Sequence, residues 1–209
     1  MTELDAHAPL ILASASARRR QLLLAAGIAH DVIVSEVDET RLAGEDPPGF
    51  AARLAQAKAT HVAGLRAALG DRRPVLGADT IVVVDTEVIG KPPDRAAARA
   101  TLRTLSARAH EVLTACCVLW GQRSATALVR TTVTFKALSE LEIEHYLDHA
   151  AWHDKAGGYA VQDHAAYMVR RIDGSYTNVV GLPLCETIEL LQRLGVVDAT
   201  LQPMAQATP

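Results

Sequence analysis

The chain has 209 residues, 49% of them hydrophobic and 22% charged, with a formal net charge of −3. That composition excludes a disordered chain, a collagen and a coiled coil, and the negative sign gives no support to a binder of nucleic-acid polymers. Only eight residues are aromatic while 37 are alanine, so small side chains carry much of the apolar total.

The length suits one large domain and can bury a core without disulfides or a structural metal. No apolar run approaches the ~18–20 residues that span a bilayer. The start, MTELDAHAPLILAS, has acids where a signal peptide needs bases. A cytoplasmic protein with no membrane contact is therefore expected. Cys116, Cys117 and Cys185 form no C-x-x-C pair, which fits a reducing compartment and three packing residues.

In chain order, Leu10–Ala13 reads as a short buried strand. A small-residue turn, 14–17, leads into a helix over 18–26 that stops at Gly27. A second strand is predicted over 32–35, followed by an acidic turn at 36–39. Residues 50–69 read as one long helix with a stripe of Ala51, Ala55, Val62, Leu65 and Leu69. Lys58 falls on that stripe, either snorkelling at its edge or pointing into a cleft. Val75–Val84 is a β-branched run interrupted by Asp79-Thr80, read as one strand or a pair. Gly90-Lys91-Pro92-Pro93 is a rigid strand exit. A helix follows over 94–105, then strands over about 110–120 and 125–136. A helix over 139–149 opens on the capping-box pair Ser139 and Glu142. The Gly-rich segment 153–182 holds one strand near 166–172. Pro183 starts a last helix ending near Leu194, and the tail from Asp198 is expected to fray. No repeat or linker is visible. The order of elements argues for a single α/β domain with a mixed sheet, its core over about 10–194.

Several residues carry chemical meaning. In Ser14-x-Ser16-x-Arg18-Arg19-Arg20, small residues and free N–H groups at a helix start attract anions, and arginines add bidentate phosphate recognition. The alternative is a solvated basic helix face. Asp79 lies within an apolar strand, where a carboxylate is costly unless it meets a cation or hydrogen-bond donors. General-base work on water and metal ligation are its two candidate roles. Asp38 and Glu39 offer hard oxygens for a divalent cation. Gly90-Lys91-Pro92 is not a Walker A loop, since Pro92 stands where Ser or Thr would meet the metal. Glycines beside Lys155 allow a ligand close to the backbone, and Gln162 can donate and accept at a base edge. Cations in separate segments, Arg18, Arg19, Lys58, Lys91 and Lys155, together with these carboxylates, suit a metal-dependent reaction on a polyphosphate.

In this combination the residues resemble the Maf family of nucleoside triphosphate pyrophosphatases. The carriers are Leu12-Ala13-Ser14-Ala15-Ser16-Ala17-Arg18-Arg19, Val37-Asp38-Glu39, Arg53-Leu54-Ala55 with Lys58-Ala59, and Gly77-Ala78-Asp79-Thr80. Gly90-Lys91-Pro92, Asp154-Lys155-Ala156-Gly157 and Val179-Val180-Gly181-Leu182-Pro183 continue the series over residues 10–194. The resemblance implies an elongated mixed sheet with a deep cleft, like that of inosine triphosphate pyrophosphatases. It implies hydrolysis of a nucleoside triphosphate to monophosphate and pyrophosphate. Asp79 would be the proton acceptor. Ser14, Ser16, Arg18, Arg19, Lys58, Thr80, Lys91, Lys155 and Gln162 would bind substrate. Glu39 and Asp79 would place Mg²⁺ or Mn²⁺, and the chain would be a homodimer. Arg18, Thr80 and Gln162 look like the family's dTTP/UTP branch, with a house-cleaning role on modified nucleotides in view. Activity on 7-methyl-GTP, or a non-hydrolysing nucleotide-binding role in septum formation, are the alternatives. Ala17 stands where the family pattern has Pro, and Asp163 where it has Gly.

Overall fold

The computed structural model describes residues 10–203. The acidic start before Leu10 and the end of the tail, 204–209, lie outside the described residues.

One seven-stranded mixed sheet organises the chain. Strands β1 (Leu10–Ala13) and β2 (His30–Val32) pair in parallel, and β1 also pairs in parallel with β3 (Val75–Val84). Strands β5 (Ala109–Trp120), β6 (Arg123–Phe135) and β7 (Val169–Asp173) continue from β3 in antiparallel order. Short strand β4 (Glu87–Ile89) returns along the end of β3.

That pairing leaves a gap. On the edge of β3 away from β5, β1 covers Val75 to Gly77 and β4 covers Val82 to Val84. Between them, residues 78–81 have a strand neighbour on one edge only. Asp79 and Thr80 sit in this gap. They do not interrupt β3: Asp79 is in register with Ala115 and Thr80 with Thr114.

Helix α2 (Pro47–Ala67) covers one face of the sheet, capped by Asp46, whose carboxylate accepts from Gly49 N–H. It lies so close to β3 that a Cβ on Gly77 would come within 2.3 Å of the Ala55 carbonyl oxygen and 2.6 Å of Ala59 N. Glycine is required there by contact, not by φ. The buried stripe is Phe50, Ala51, Leu54, Ala55, Lys58, Ala59 and Val62. Leu65 and Leu69, expected on that stripe, are exposed, because the helix and the turn after it overhang the sheet beyond Val62.

The opposite face carries α1 (Ala17–Ala25) and α6 (Leu184–Leu194), which share a core with Leu76 and Ala78. Helices α3 (Arg95–Leu105) and α4 (Glu140–His149) pack on a further core with Val82 and Val84. The Ser139–Glu142 capping box forms as predicted. Short helix α5 (Tyr176–Val180), unforeseen, lies in the Gly-rich segment.

Further boundaries differ, among them the start of β7 at Val169, since His164–Met168 forms a 3₁₀ turn. The second strand, expected over 32–35, is His30–Val32 and shares only Val32 with that range, because its register is set by Leu10–Leu12 of β1. The tail from Asp198 is tied back as far as Pro203, which bridges Val197, while Asp198 Oδ1 accepts from Thr200 and Gln202 N–H. Cys116 and Cys117 are packing residues on opposite faces of β5, with thiols pushed up to about 11 by burial. Cys185 is a correction to that expectation. It is exposed, because the buried face of α6 is Thr187, Leu190, Leu191 and Leu194. No described helix is long and apolar enough to cross a membrane.

Candidate active site

A cleft of about 680 Å³ opens at the gap in the sheet. Eleven of the residues singled out from the sequence line it: Ser14, Ser16, Arg18, Arg19, Glu39, Lys58, Asp79, Thr80, Lys91, Lys155 and Gln162. They come from segments far apart in the chain, and the sheet assembles them.

The α2 face of β3 supplies the acid. Asp79 follows Gly77 by two residues and so points to the same face. The close approach at Gly77 sets Lys58 above it. Lys58 Nζ lies 2.6 Å from Asp79 Oδ1 and 2.6 Å from Glu39 Oε1. Lys58 and Asp79 are each only 7% exposed. This resolves the two readings of Lys58: it does not snorkel to solvent, it points into the cleft. It also explains how a carboxylate persists in an apolar strand, since the ammonium compensates it. Burial pushes the Glu39 carboxyl up, but the hydrogen bond and charge of Lys58 leave it below its ordinary value. Asp38 takes a different course. Its carboxylate accepts from Thr40 N–H in an exposed turn and does not line the cleft.

The other face of β3 supplies a polar network. Ser16 caps α1 by accepting from Arg19 N–H, and Ala17 occupies the first helical position without help from Pro. Arg19 is 8% exposed. Its Nε donates to Gly181 O at 2.7 Å, Nη1 to Ala78 O at 2.8 Å and Ser14 Oγ at 3.1 Å, and Nη2 to Thr80 Oγ1 at 3.0 Å. The side chain thus fills the gap that β1 leaves beside Ala78. Burial lowers the Arg19 pKa, opposed by the charge of Asp79. Thr80 Oγ1 lies 2.9 Å from Thr114 Oγ1 and 3.2 Å from Gly181 O. Thr114 in turn donates to Asn178 O, and Asn178 Nδ2 donates to Val112 O and Thr131 Oγ1. The sequence reading missed Thr114 as a partner of this site. Its only signal is a hydroxyl within the apolar run of β5.

The remaining cations stand around the mouth. The loop at Gly90 packs on the turn after Lys155, with Gly157 N–H donating to Gly90 O. Gly157 has φ +69°, and a Cβ there would come within 3.0 Å of Val82 Cγ2. That packing sets Lys91 and Lys155 on one cleft. Lys155 is buried, with Nζ 2.7 Å from Asp154 Oδ1. Lys91 is exposed, 3.8 Å from Glu39 Oε2. Arg18 Nη1 lies 3.9 Å from Asp154 Oδ2. Gln162 is exposed on the cleft wall, and Asp163 follows it in the same exposed turn.

Among the described residues, no group of three or more His, Cys, Asp or Glu side chains could hold a metal ion. Glu39 and Asp79 are the carboxylates that meet, across the Lys58 ammonium. Two hard-oxygen ligands fit Mg²⁺ or Mn²⁺ only if substrate phosphates and water complete the shell, which is a common arrangement for Mg²⁺.

The profile of the Maf-like protein family matches residues 9–194. A protein of Geotalea uraniireducens named dTTP/UTP pyrophosphatase is 48% identical over 197 residues, covering 93% of this chain and 100% of its own length. One of the same name from Geobacter sulfurreducens is 49% identical over 190 residues, covering 90% of this chain and 97% of its own. The Ham1 protein of Staphylococcus aureus overlaps 60% of this chain and 70% of its own at 15% identity, with a TM-score of 0.38. With one profile spanning nearly the whole sheet and cleft, and relatives matched almost end to end, the chain belongs to the Maf-like protein family.

Proposed function

We propose that this protein hydrolyses nucleoside triphosphates, dTTP and UTP by preference, to the nucleoside monophosphate and pyrophosphate. The observation that carries the reading is the buried Lys58–Asp79 pair at the floor of a cleft ringed by Arg18, Lys91 and Lys155. Its relatives' name, dTTP/UTP pyrophosphatase, gives the substrate class.

In this proposal, water attacks the α-phosphorus. Asp79, with Oδ1 held by Lys58, takes the water proton on Oδ2. The bond from the α-phosphorus to the bridging oxygen breaks, and pyrophosphate leaves with both bond electrons. Lys58, Lys91 and Lys155 face the negative charge that develops. A divalent cation held by Glu39 and Asp79 would supply Lewis-acid stabilisation of the phosphates. Gln162, able to donate and accept, suits the carbonyl–NH–carbonyl edge of uracil or thymine. A homodimer, a cytoplasmic location and a house-cleaning role on modified nucleotides belong to the same proposal.

The test is a panel of triphosphates, including 7-methyl-GTP, incubated with the protein with and without Mg²⁺. Pyrophosphate release, fastest from dTTP and UTP and abolished by EDTA, is the expected result. Orthophosphate as product, or binding without turnover, overturns the reading.

A further inference from the structure

Arginine has five N–H donors in a planar fork. In Arg19 four of them are taken, by Gly181 O, Ser14 Oγ, Ala78 O and Thr80 Oγ1. Among the described residues, the N–H without a hydrogen-bond partner is the second one on Nη2, the nitrogen that Thr80 holds. Arg19 lines the cleft. It therefore offers an anion one donor, not a bidentate fork; the bonds on Nε and Nη1 set the plane of the fork, and Thr80 holds the nitrogen that carries the free donor.

Thr80 is itself held. Thr114 uses its hydroxyl hydrogen on Asn178 O at 3.1 Å, so its lone pairs face Thr80 Oγ1 at 2.9 Å. Thr80 then donates its hydrogen to Thr114 at 2.9 Å, the shorter of its two acceptor contacts, and keeps a lone pair for Arg19. Thr114 is fully buried and directly opposite Thr80 on β5. Its backbone carries the ladder, so its hydroxyl is not needed for the strand.

We infer that Thr114, which does not line the cleft, is a positioning residue. Through Thr80 it aims the free Nη2 N–H of Arg19 at a phosphate oxygen of the substrate. The inference rests on the reading of the cleft as a triphosphate site. It also gives the Thr80 hydroxyl a task of its own, the alignment of Arg19.

The experiment compares Thr114→Val, which keeps shape and loses the hydroxyl, with Thr114→Ser, which keeps the hydroxyl. Each is made in the wild-type and Arg19→Lys backgrounds. For UTP, Thr114→Val is expected to lower kcat/KM about tenfold through a raised KM, since a charge-assisted hydrogen bond is misdirected. Thr114→Ser is expected within about twofold of wild type, and Thr114→Val to have no further effect on the Arg19→Lys background. Guanidinium NMR of the nucleotide-free protein gives a readout independent of turnover. The Arg19 Nη2 signals should keep their chemical shifts in Thr114→Ser and move in Thr114→Val, while the Nε signal, held by Gly181 O, stays in place. A Thr114→Val protein with unchanged KM and unchanged Arg19 signals overturns the inference, as does an equal loss in the Arg19→Lys background. If Thr114→Val does not fold, Thr114→Ala takes its place in every arm. Wild-type protein that releases no pyrophosphate would instead overturn the proposed function, while the NMR arm still decides whether Thr114 holds Arg19.

Discussion

Lys58 Nζ sits 2.6 Å from Asp79 Oδ1, and the two are equally buried although 21 residues of chain separate them. The pair gives Asp79 a fixed orientation at the cleft floor. Asp79→Asn keeps the shape and removes the proton acceptor. It is expected to lower the rate of pyrophosphate release by on the order of 10²–10⁴-fold, the usual worth of a positioned general base. Nucleotide binding, followed by calorimetry, should persist. A variant with near-normal kcat would remove Asp79 from the proposed mechanism.

Lys58 serves two carboxylates at once. Replacing it with Met leaves Asp79 and Glu39 facing each other with no cation between them, Lys91 standing 3.8 Å from the far oxygen of Glu39. The expected loss of stability is roughly 2–3 kcal/mol, below the range for a fully buried pair because Glu39 is partly solvated. Urea denaturation measures it. Adding Mg²⁺ should recover part of the loss in this variant and little in wild type, since the two carboxylates would then gain a counter-ion.

Gly77 lets α2 approach β3. In Gly77→Ala the new Cβ meets the Ala55 carbonyl and the Ala59 amide, neither of which is a flexible side-chain end. The helix must move outward and carry Lys58 from Asp79. A stability loss of roughly 3 kcal/mol is expected from overpacking. Displacing the site by about 1 Å should also cost about 10²-fold in kcat/KM. Thermal unfolding and steady-state kinetics check the two effects separately.

His110 is buried among Phe135 and Tyr159, with Nε2 2.7 Å from the Tyr159 hydroxyl. Burial drops its pKa from 6.5 to about 4. Between those values the unfolded chain binds a proton that the folded chain refuses. Stability from this group is therefore complete above about pH 6.5 and is lost as pH falls toward 4. The loss amounts to on the order of 3 kcal/mol. Melting temperatures across pH 4–8 should show this slope, and His110→Asn should flatten it.

Much of the site was legible in the sequence, because local physics marks it. Asp79 stands out since an apolar strand does not tolerate an unpaired carboxylate, and the structure supplies its partner. Ser16 and Arg19 stand out since small residues and arginines at a helix start suit an anion, and both line the cleft. The strands and helices were legible through their periodicity. Besides the unforeseen α5, errors fell at ends, such as Val32 and Leu69, where a missing neighbour and not the residue itself decides pairing or burial.

What the sequence by itself determined is the set of elements and the chemical groups they carry. Only the tertiary structure decided which groups remain available. Arg19 looks like a free phosphate fork in the sequence, yet its partners Ala78 and Gly181 lie 59 and 162 residues away and take most of its donors. Thr80 has partners no local pattern announces, since Thr114 across the sheet and Arg19 from the first helix engage its hydroxyl. Glu39 enters the cleft and Asp38 does not, because Lys58 holds one and Thr40 the other. Burial and hydrogen bonding are satisfied by whatever the fold brings near, and proximity across a sheet has no signature in local sequence.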